Sequence, residues 1–460
     1  MERAGRAAFE VLQGSWPGVH RLAVLCGSGN NGGDGFVLAR LARLAGLAVT
    51  VVQVGDPAHL PADAAASRDA LRDAGLTPVP WNGQDLRGFD LLIDSLLGTG
   101  IDREVTGDYA AAIRAVNAGD TPVLAVDLPS GLNADTGQVM GVAVRAAATV
   151  TFVGMKRGLL TGDAPDYCGC LYFSDLDIPR PAYTAVPASA ERIDRHDYRH
   201  MLSRRPRTAH KGQFGHVLVV GGDHGYAGAA RMAAAAAGRV GAGLLSVATR
   251  PAHVAPMLAG LPEAMVHGVA NAADLRSLAR RATVLAVGPG LGQSDWSAAM
   301  LAAILDLRLP TVMDADALNL LAADRICRDH WILTPHPGEA GRLLGCSTAE
   351  VQVDRYAAVR AIRGRYGGVC VLKGAGTLVD DGQGPIGVCA QGNPGMASGG
   401  MGDVLTGVVA GLLAQGLNAG EAARMAVCLH AEAADLAARD GERGLLATDL
   451  LPWLRRLVNP

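Results

Sequence analysis

Asp403 closes a glycine-rich run, Asn393-Pro394-Gly395-Met396-Ala397-Ser398-Gly399-Gly400-Met401-Gly402. Behind it Val404, Leu405, Val408, Val409, Leu412 and Leu413 recur at helical spacing, so a helix begins near Asp403. A glycine-rich turn that opens a helix aims free N–H groups outward. With the positive end of the helix dipole it makes an anion site. A carboxylate at that mouth either caps the helix or takes a proton from a hydroxyl attacking a phosphoryl group held by the glycines. Other residues nearby in type suit the same chemistry. Lys373 ends an apolar strand beside Gly374-Ala375-Gly376-Thr377, where it either reaches a phosphate or carries its ammonium out to water. His336 lies between two prolines, as a titrating group or as a rigid turn residue. Asp314 and Asp316 either hold Mg²⁺ through water or cap the helix that follows. No G-x-x-x-x-G-K-[ST] occurs, so a nucleotide site here is not of the P-loop type.

A second set of polar residues lies in the first half of the chain, and each member follows an apolar run. Asn30, Asn31 and Asp34 come after Arg21–Cys26, Asp94 and Thr99 at the end of 90–97, and Asp127 and Ser130 at the end of 122–128. Gly27-x-Gly29-x-x-Gly32, with Asp56 after the next strand, fits a dinucleotide fingerprint. The doubled Asn and the added Gly33-Asp34 lie outside that fingerprint and suit polar chemistry or a cation. The structural alternative is that Asn30 and Asn31 are turn residues and Asp127 caps a turn.

The elements that place these side chains alternate. A helix is expected over residues 1–13, then strands at 21–26, 49–54, 90–97, 122–128 and 149–153, with a helix from Phe36 to Leu44. Alternation of strand and helix gives βαβ units and a parallel sheet covered on both faces, and ligands bind where such strands end. Residues 177–187 hold three prolines and no apolar period, and read as a linker. The boundary is placed near residue 190, giving domains 1–190 and 191–460. The second half repeats the pattern, with strands at 216–220, 244–248, 283–287, 311–313, 331–333 and 369–373 and a long Ala-rich helix from Ala229 to Gly238.

The chain of 460 residues is long enough for two or three cores. A net charge of −3 gives no polybasic footprint for nucleic acid. The eight cysteines are scattered, with one C-x-C at Cys168 and Cys170 and no C-x-x-C, which speaks for reduced thiols and against structural zinc. No signal-peptide pattern opens the chain and no apolar run reaches membrane-spanning length, so a cytoplasmic protein without a membrane partner is expected.

Gly29–Gly35, Asp94–Gly100, Asp127–Gly137, Thr149–Phe152 and Lys156-x-Gly158-Leu159 together resemble the epimerase domain of the NAD(P)H-hydrate repair enzymes. The resemblance spans nearly all of the first half. It implies that Asn30, Asn31, Gly32, Gly33 and Asp34, with the loop Gly98, Thr99, Gly100, Ile101, Asp102, Arg103 and Glu104, hold the hydrated dinucleotide. It implies Asp127 as the acid/base group against the substrate, and K⁺ bound by Asn31, Asp94 and Ser130. It also places the segment Glu2–Gly5 well inside the domain, after an earlier helix. Either the protein starts upstream of Met1, or that helix is absent, which bears on domain packing, any dimer contact and epimerase activity.

The second half resembles the ribokinase-like superfamily, and more closely the ADP-dependent NAD(P)H-hydrate dehydratases. The resemblance rests on His210-Lys211-Gly212, Gly221-Gly222, Gly241–Leu244, Gly288–Gly292, Asp314–Leu318, Thr334–Glu339, Lys373-Gly374 and Gly392–Leu405. It implies that Ala229, Gly290, His336 and Asp403 meet the hydrate, and that Lys373, Gly374, Ala375, Gly376 and Thr377 with Asn393–Gly402 hold ADP (or ATP). The expected architecture is a Rossmann-like three-layer α/β/α domain followed by a ribokinase-like α/β/α domain. The expected activity is epimerisation of hydrated NADH and NADPH at C6 and ADP-driven dehydration of the S hydrate, in a homo-oligomer. The competing readings are a small-alcohol kinase of the ribokinase-like type, and a first domain that only binds a partner.

Overall fold

The computed structural model describes residues 1–459. The chain forms two compact units, Met1–Pro187 and Ala188–Pro460.

In the first unit the strands are β1 Arg21–Cys26, β2 Ala48–Gln53, β3 Val79–Pro80, β4 Leu91–Ser95, β5 Val123–Val126, β6 Ala148–Phe152 and β7 Cys170–Ser174. They pair in the order β3-β2-β1-β4-β5-β6-β7, all parallel. Successive residues of an extended strand face opposite sides. Leu22, Val24 and Cys26 accordingly join one apolar cluster while Ala23 and Leu25 join another. That two-sided burial is why β1 is a continuous apolar run. The strand order reverses between β1 and β4, so the loops after these two strands part there and leave a crevice.

The sequence expectation placed Asn30–Asp34 in a turn and began the helix at Phe36. The helix in fact runs Asn30–Leu44. Glycine is a poor helix former, but tertiary packing overrides the preference here. A Cβ at Gly32 would lie 2.1 Å from the Gly27 carbonyl oxygen, and one at Gly35 1.9 Å from Ser95 Oγ. Only glycine lets the helix start this close to the sheet. Two strands of this unit were not anticipated: β3 is two residues long, and β7 is a half-exposed edge without clean alternation. The seam read as a linker contains a short helix, Arg180–Ala185, with proline in its first turn, a position that tolerates the missing N–H.

In the second unit the strands are β8 Ala190–Arg192, β9 His216–Val220, β10 Leu244–Thr249, β11 Met265–Gly268, β12 Val284–Val287, β13 Thr311–Met313, β14 Trp331–Leu333, β15 Val369–Leu372, β16 Thr377–Asp380 and β17 Ile386–Cys389. Their order is β11-β10-β9-β12-β13-β14-β15-β16-β17-β8, and it reverses between β9 and β12. Strands β11 to β15 are parallel, β16 and β17 add an antiparallel meander, and β8 closes the edge beside β17.

The helix Met401–Ala414 is buried on almost every side. It packs on the sheet and on the Ala-rich helix Ala227–Arg239. A Cβ at Gly407 would lie 2.0 Å from the Ala233 carbonyl oxygen, so two backbones touch where a side chain would stand. Gly407→Ala is therefore expected to destabilise the unit by about 1–3 kcal/mol. Gly364→Ala, where a Cβ meets nothing within 4 Å in a helix, should be neutral or stabilising by up to about 1 kcal/mol. Urea unfolding of the two variants checks the contrast. Among the described residues no helix is long and apolar enough to cross a membrane.

Candidate active sites

In the second unit the helix mouth is built by Gly400. It takes the N-cap position in a left-handed conformation (φ 93°), and no side chain caps the helix. Asp403, three positions in, is thus free of the capping role. Burial pushes its carboxyl up to about 7; Asp314 adds to the rise and Lys373 opposes it.

Asp314 sits under this mouth, fully buried. It precedes the helix Ala315–Leu321 without capping it. Its Oδ1 accepts from Lys373 Nζ at 2.7 Å and its Oδ2 from Thr406 Oγ1 at 2.8 Å. Lys373 therefore does not run out to water. Burial opposes its charge, but Asp314 and Glu339 more than offset that and raise its pKa. Gly402 leaves the pair open to the mouth, since a Cβ there would lie 3.2 Å from Lys373 Nζ. Asp316 accepts from Gly292 N at 2.9 Å and so ties the β12 loop to this group.

His336 is the rigid turn residue that one reading of the sequence allowed. It caps the helix Pro337–Leu344 through Nδ1, which accepts from Gly338 N at 3.0 Å, while Glu339 accepts from His336 N at 2.8 Å. Nδ1 is used as an acceptor, so the ring proton lies on Nε2. Burial, then Lys373, lowers the pKa of the ring and keeps it neutral near pH 7. Ala229 and Gly290 meet across the β9–β12 crevice: a Cβ at Gly290 would lie 3.1 Å from Ala229 Cβ.

One positioning group went unread in the sequence. Arg355 is buried, and its Nη2 donates to the Lys373 carbonyl at 3.2 Å and the Gly376 carbonyl at 3.5 Å. It fastens the Lys373–Thr377 loop from behind. Burial pulls its pKa down to about 10, still cationic at neutral pH.

In the first unit a cleft of about 430 Å³ is lined by Asn30, Asp34, Thr99, Asp127, Phe152 and Lys156 among others. Asp127 adopts φ 69°, a strained conformation for a residue with a side chain. It is held by an ion pair with Lys156, by Thr151 Oγ1 at 3.3 Å, and by Lys156 Nζ anchoring on the Phe152 carbonyl at 2.9 Å. Lys156 belongs to a motif quoted above, but its pairing spans 29 residues and no local spacing announces it. Burial pushes the Asp34 carboxyl up to about 7, and the charge of Asp127 adds to the rise. Of the loop Gly98–Glu104, Thr99 lines the cleft, while Ile101 is held away by Asn133 Nδ2 at 3.0 Å from its carbonyl. Gly32 and Gly33 act through close packing. Asp56, read from the sequence as part of a dinucleotide fingerprint, caps the turn Pro57–His59.

Asn31, Asp94 and Ser130 converge beside Leu97. Ser130 Oγ donates to Asp94 Oδ1 at 2.6 Å, and Asn31 Nδ2 donates to the Leu97 carbonyl at 2.9 Å. Asn31 Oδ1 is buried and has no hydrogen-bond partner. An orphaned amide oxygen beside a buried carboxylate and a hydroxyl is a donor set that fits a hard monovalent cation. A larger cavity of about 690 Å³, between the helix Glu2–Ser15 and β7, offers Glu10 and Tyr172 but no acid–base pair.

The comparisons with known proteins match both units. Residues 1–158 match the YjeF-related protein N-terminus family and residues 217–456 the NAD(P)H-hydrate dehydratase family. A bifunctional NAD(P)H-hydrate repair enzyme from Coxiella burnetii is 51% identical over 462 residues, covering 100% of this chain and 94% of that protein. The chain belongs to the bifunctional NAD(P)H-hydrate repair enzyme family. The Escherichia coli member is 45% identical over 465 residues, covering 100% of this chain and 89% of that protein. The ADP/ATP-dependent NAD(P)H-hydrate dehydratase of Bacillus subtilis, crystallised with ATP and Mg²⁺, superposes with a TM-score of 0.52 at 30% identity, covering 60% of this chain and 98% of that one. Membership over the whole chain does not favour the small-alcohol kinase. It gives the first unit the epimerase family and the second the dehydratase family.

Proposed function

We propose that the second unit uses ADP, or ATP, to remove water from the S hydrate of NADH or NADPH, and that the first unit interconverts the C6 epimers. The observation that carries the first part is the partly buried Asp403 at an uncapped helix mouth, beside the Lys373–Asp314 pair. The hydrate's C6 hydroxyl is a poor leaving group. Asp403 takes its proton as the oxygen attacks the terminal phosphorus of ADP, giving AMP and a phosphate ester. The ring nitrogen then pushes electrons, the C6–O bond breaks, a proton leaves C5, and phosphate departs with NAD(P)H restored. The N–H groups from Asn393 to Gly402 and the Lys373–Thr377 loop hold the nucleotide and stabilise charge. Ala229, Gly290 and His336 orient the ring. Asp314 and Asp316 would hold Mg²⁺ through water beside the phosphates. Among the described residues no three His, Cys, Asp or Glu side chains form a group that could hold a metal ion. In the first unit Asp127, paired with Lys156, moves a proton at the C6 hydroxyl as the C6–O bond breaks and re-forms on the opposite face of the ring. Asn31, Asp94 and Ser130 would hold K⁺ and fix the β1 and β4 loops. This reading makes the protein a cytoplasmic homo-oligomer that takes neither nucleic acid nor membrane as partner.

The test is return of the reduced-nicotinamide absorbance when hydrated NADH is mixed with protein, ADP and Mg²⁺. Full recovery of a mixed-epimer sample is expected. Hydrate left untouched while a simple alcohol is phosphorylated would end this reading.

A further inference from the structure

The helix Ala419–Ala437 lies behind the nucleotide loop, and one of its residues reaches that loop with both carboxylate oxygens. Asp435 Oδ2 accepts from Gly392 N at 3.0 Å, and Oδ1 accepts from Asn393 Nδ2 at 2.9 Å. Asn393 then turns its own oxygen forward, where Oδ1 accepts from Gly395 N at 3.0 Å and caps the turn Pro394–Met396. The polarity of this relay is fixed at both ends. A carboxylate only accepts and a backbone N–H only donates, so the Asn393 amide has one workable orientation. Further along, Ser398 Oγ donates to the Leu445 carbonyl at 3.0 Å, and Gly395 approaches the Glu442 carbonyl so closely that a Cβ would lie 2.5 Å from it. The loop is thus pinned along its length, and Asp435 is the charged pin. A carboxylate so near an anion site looks adverse. Both its oxygens are spent on the loop's first donors, which sets the direction of the N–H groups that follow.

We infer that Asp435 is a positioning residue for the nucleotide: through Gly392 and Asn393 it holds the Asn393–Gly402 loop in the shape that receives the phosphates. This rests on the reading that the loop binds ADP. Asp435 touches no reacting atom, so its loss acts on nucleotide affinity and leaves the chemical step.

The test exchanges the two side chains. Asp435→Asn offers one acceptor and one donor where two acceptors are needed, so one loop bond is lost. ADP Kd by calorimetry and KM for ADP are expected to rise about ten- to a hundredfold, with kcat within a few-fold. Asn393→Asp sets two carboxylates face to face and should do the same. The double variant D435N/N393D restores every bond. Its amide, now on the helix, donates to the carboxylate, now on the loop, and accepts from Gly392 N; the loop carboxylate still accepts from Gly395 N. Its ADP Kd and KM should return to within about fivefold of wild type, since the net charge is unchanged. Asn393→Ala breaks the relay without altering the helix, and should raise KM for ADP even if Asp435→Asn fails to fold. Wild-type ADP affinity in Asp435→Asn, or a double variant no better than the weaker single, would overturn the inference. Wild-type protein that binds no ADP would remove the nucleotide reading itself, and with it the role of Asp435.

Discussion

Asp403→Asn is expected to lower kcat for ADP-driven dehydration by about 10²–10⁴-fold while ADP still binds. The substitution keeps the shape of the side chain at the helix mouth and removes only its ability to take a proton. The same change should stabilise the protein in the absence of ligand, and the sign follows from linkage. Burial raises the Asp403 carboxyl from 3.8 to about 7 in the folded protein. Between those values the folded state holds a proton that the unfolded chain has released. Folding stability therefore falls as pH rises through this window, and the cost is fully present above about 7. Asparagine carries no such cost. The melting temperature of Asp403→Asn should exceed that of wild type by more at pH 8 than at pH 4. Wild-type dehydration should itself rise with pH through about 7, as the carboxylate form of the base becomes populated. A variant that loses ADP binding with its fold intact, or a rate independent of pH across this range, would contradict the base role.

Asp127→Asn should abolish enzymatic conversion of the R hydrate, by about 10²-fold or more after correction for spontaneous epimerisation, and leave S-hydrate dehydration unchanged. The ion pair with Lys156 is nearly buried, with side-chain exposures of 16% and 17%. Removing one partner of such a pair strands the other. Lys156→Met should therefore lose epimerisation too, because Asp127 is left without the cation that holds its carboxylate in place. Equal R-hydrate repair by wild type and Asp127→Asn would remove the epimerase mechanism.

What was legible in the sequence depended on how local its cause was. Arg21–Cys26, His216–Val220, Thr311–Met313 and Trp331–Leu333 were read with their observed bounds, because a buried parallel strand is an unbroken apolar run. β16 and β17 were missed because a four-residue strand in a meander has no signature apart from its partners. Asn30–Asp34 was misread as a turn because the helix there is decided by Ser95 and Gly27 across the sheet and not by its own glycines. Asp403 was visible through the motif that surrounds it. Its environment was not: Thr406 meets Asp314 across 92 residues and Lys373 meets it across 59. Chemistry written in one loop can be read from the chain, while the pairs that tune it exist only in the fold.

β8 has a consequence for cutting this protein apart. The strand comes from the first residues of the second unit, yet it closes the far edge of the sheet beside β17. Glu191 pairs with the buried Arg424, and Ile193 enters the apolar core. A fragment begun at residue 217, where the dehydratase family match starts, would keep the catalytic groups of its unit. It would also bare the backbone of β17 and leave Arg424 without its Glu191 partner, and an open edge invites pairing between molecules. A dehydratase half meant to stay in solution by itself has to begin before Ala190.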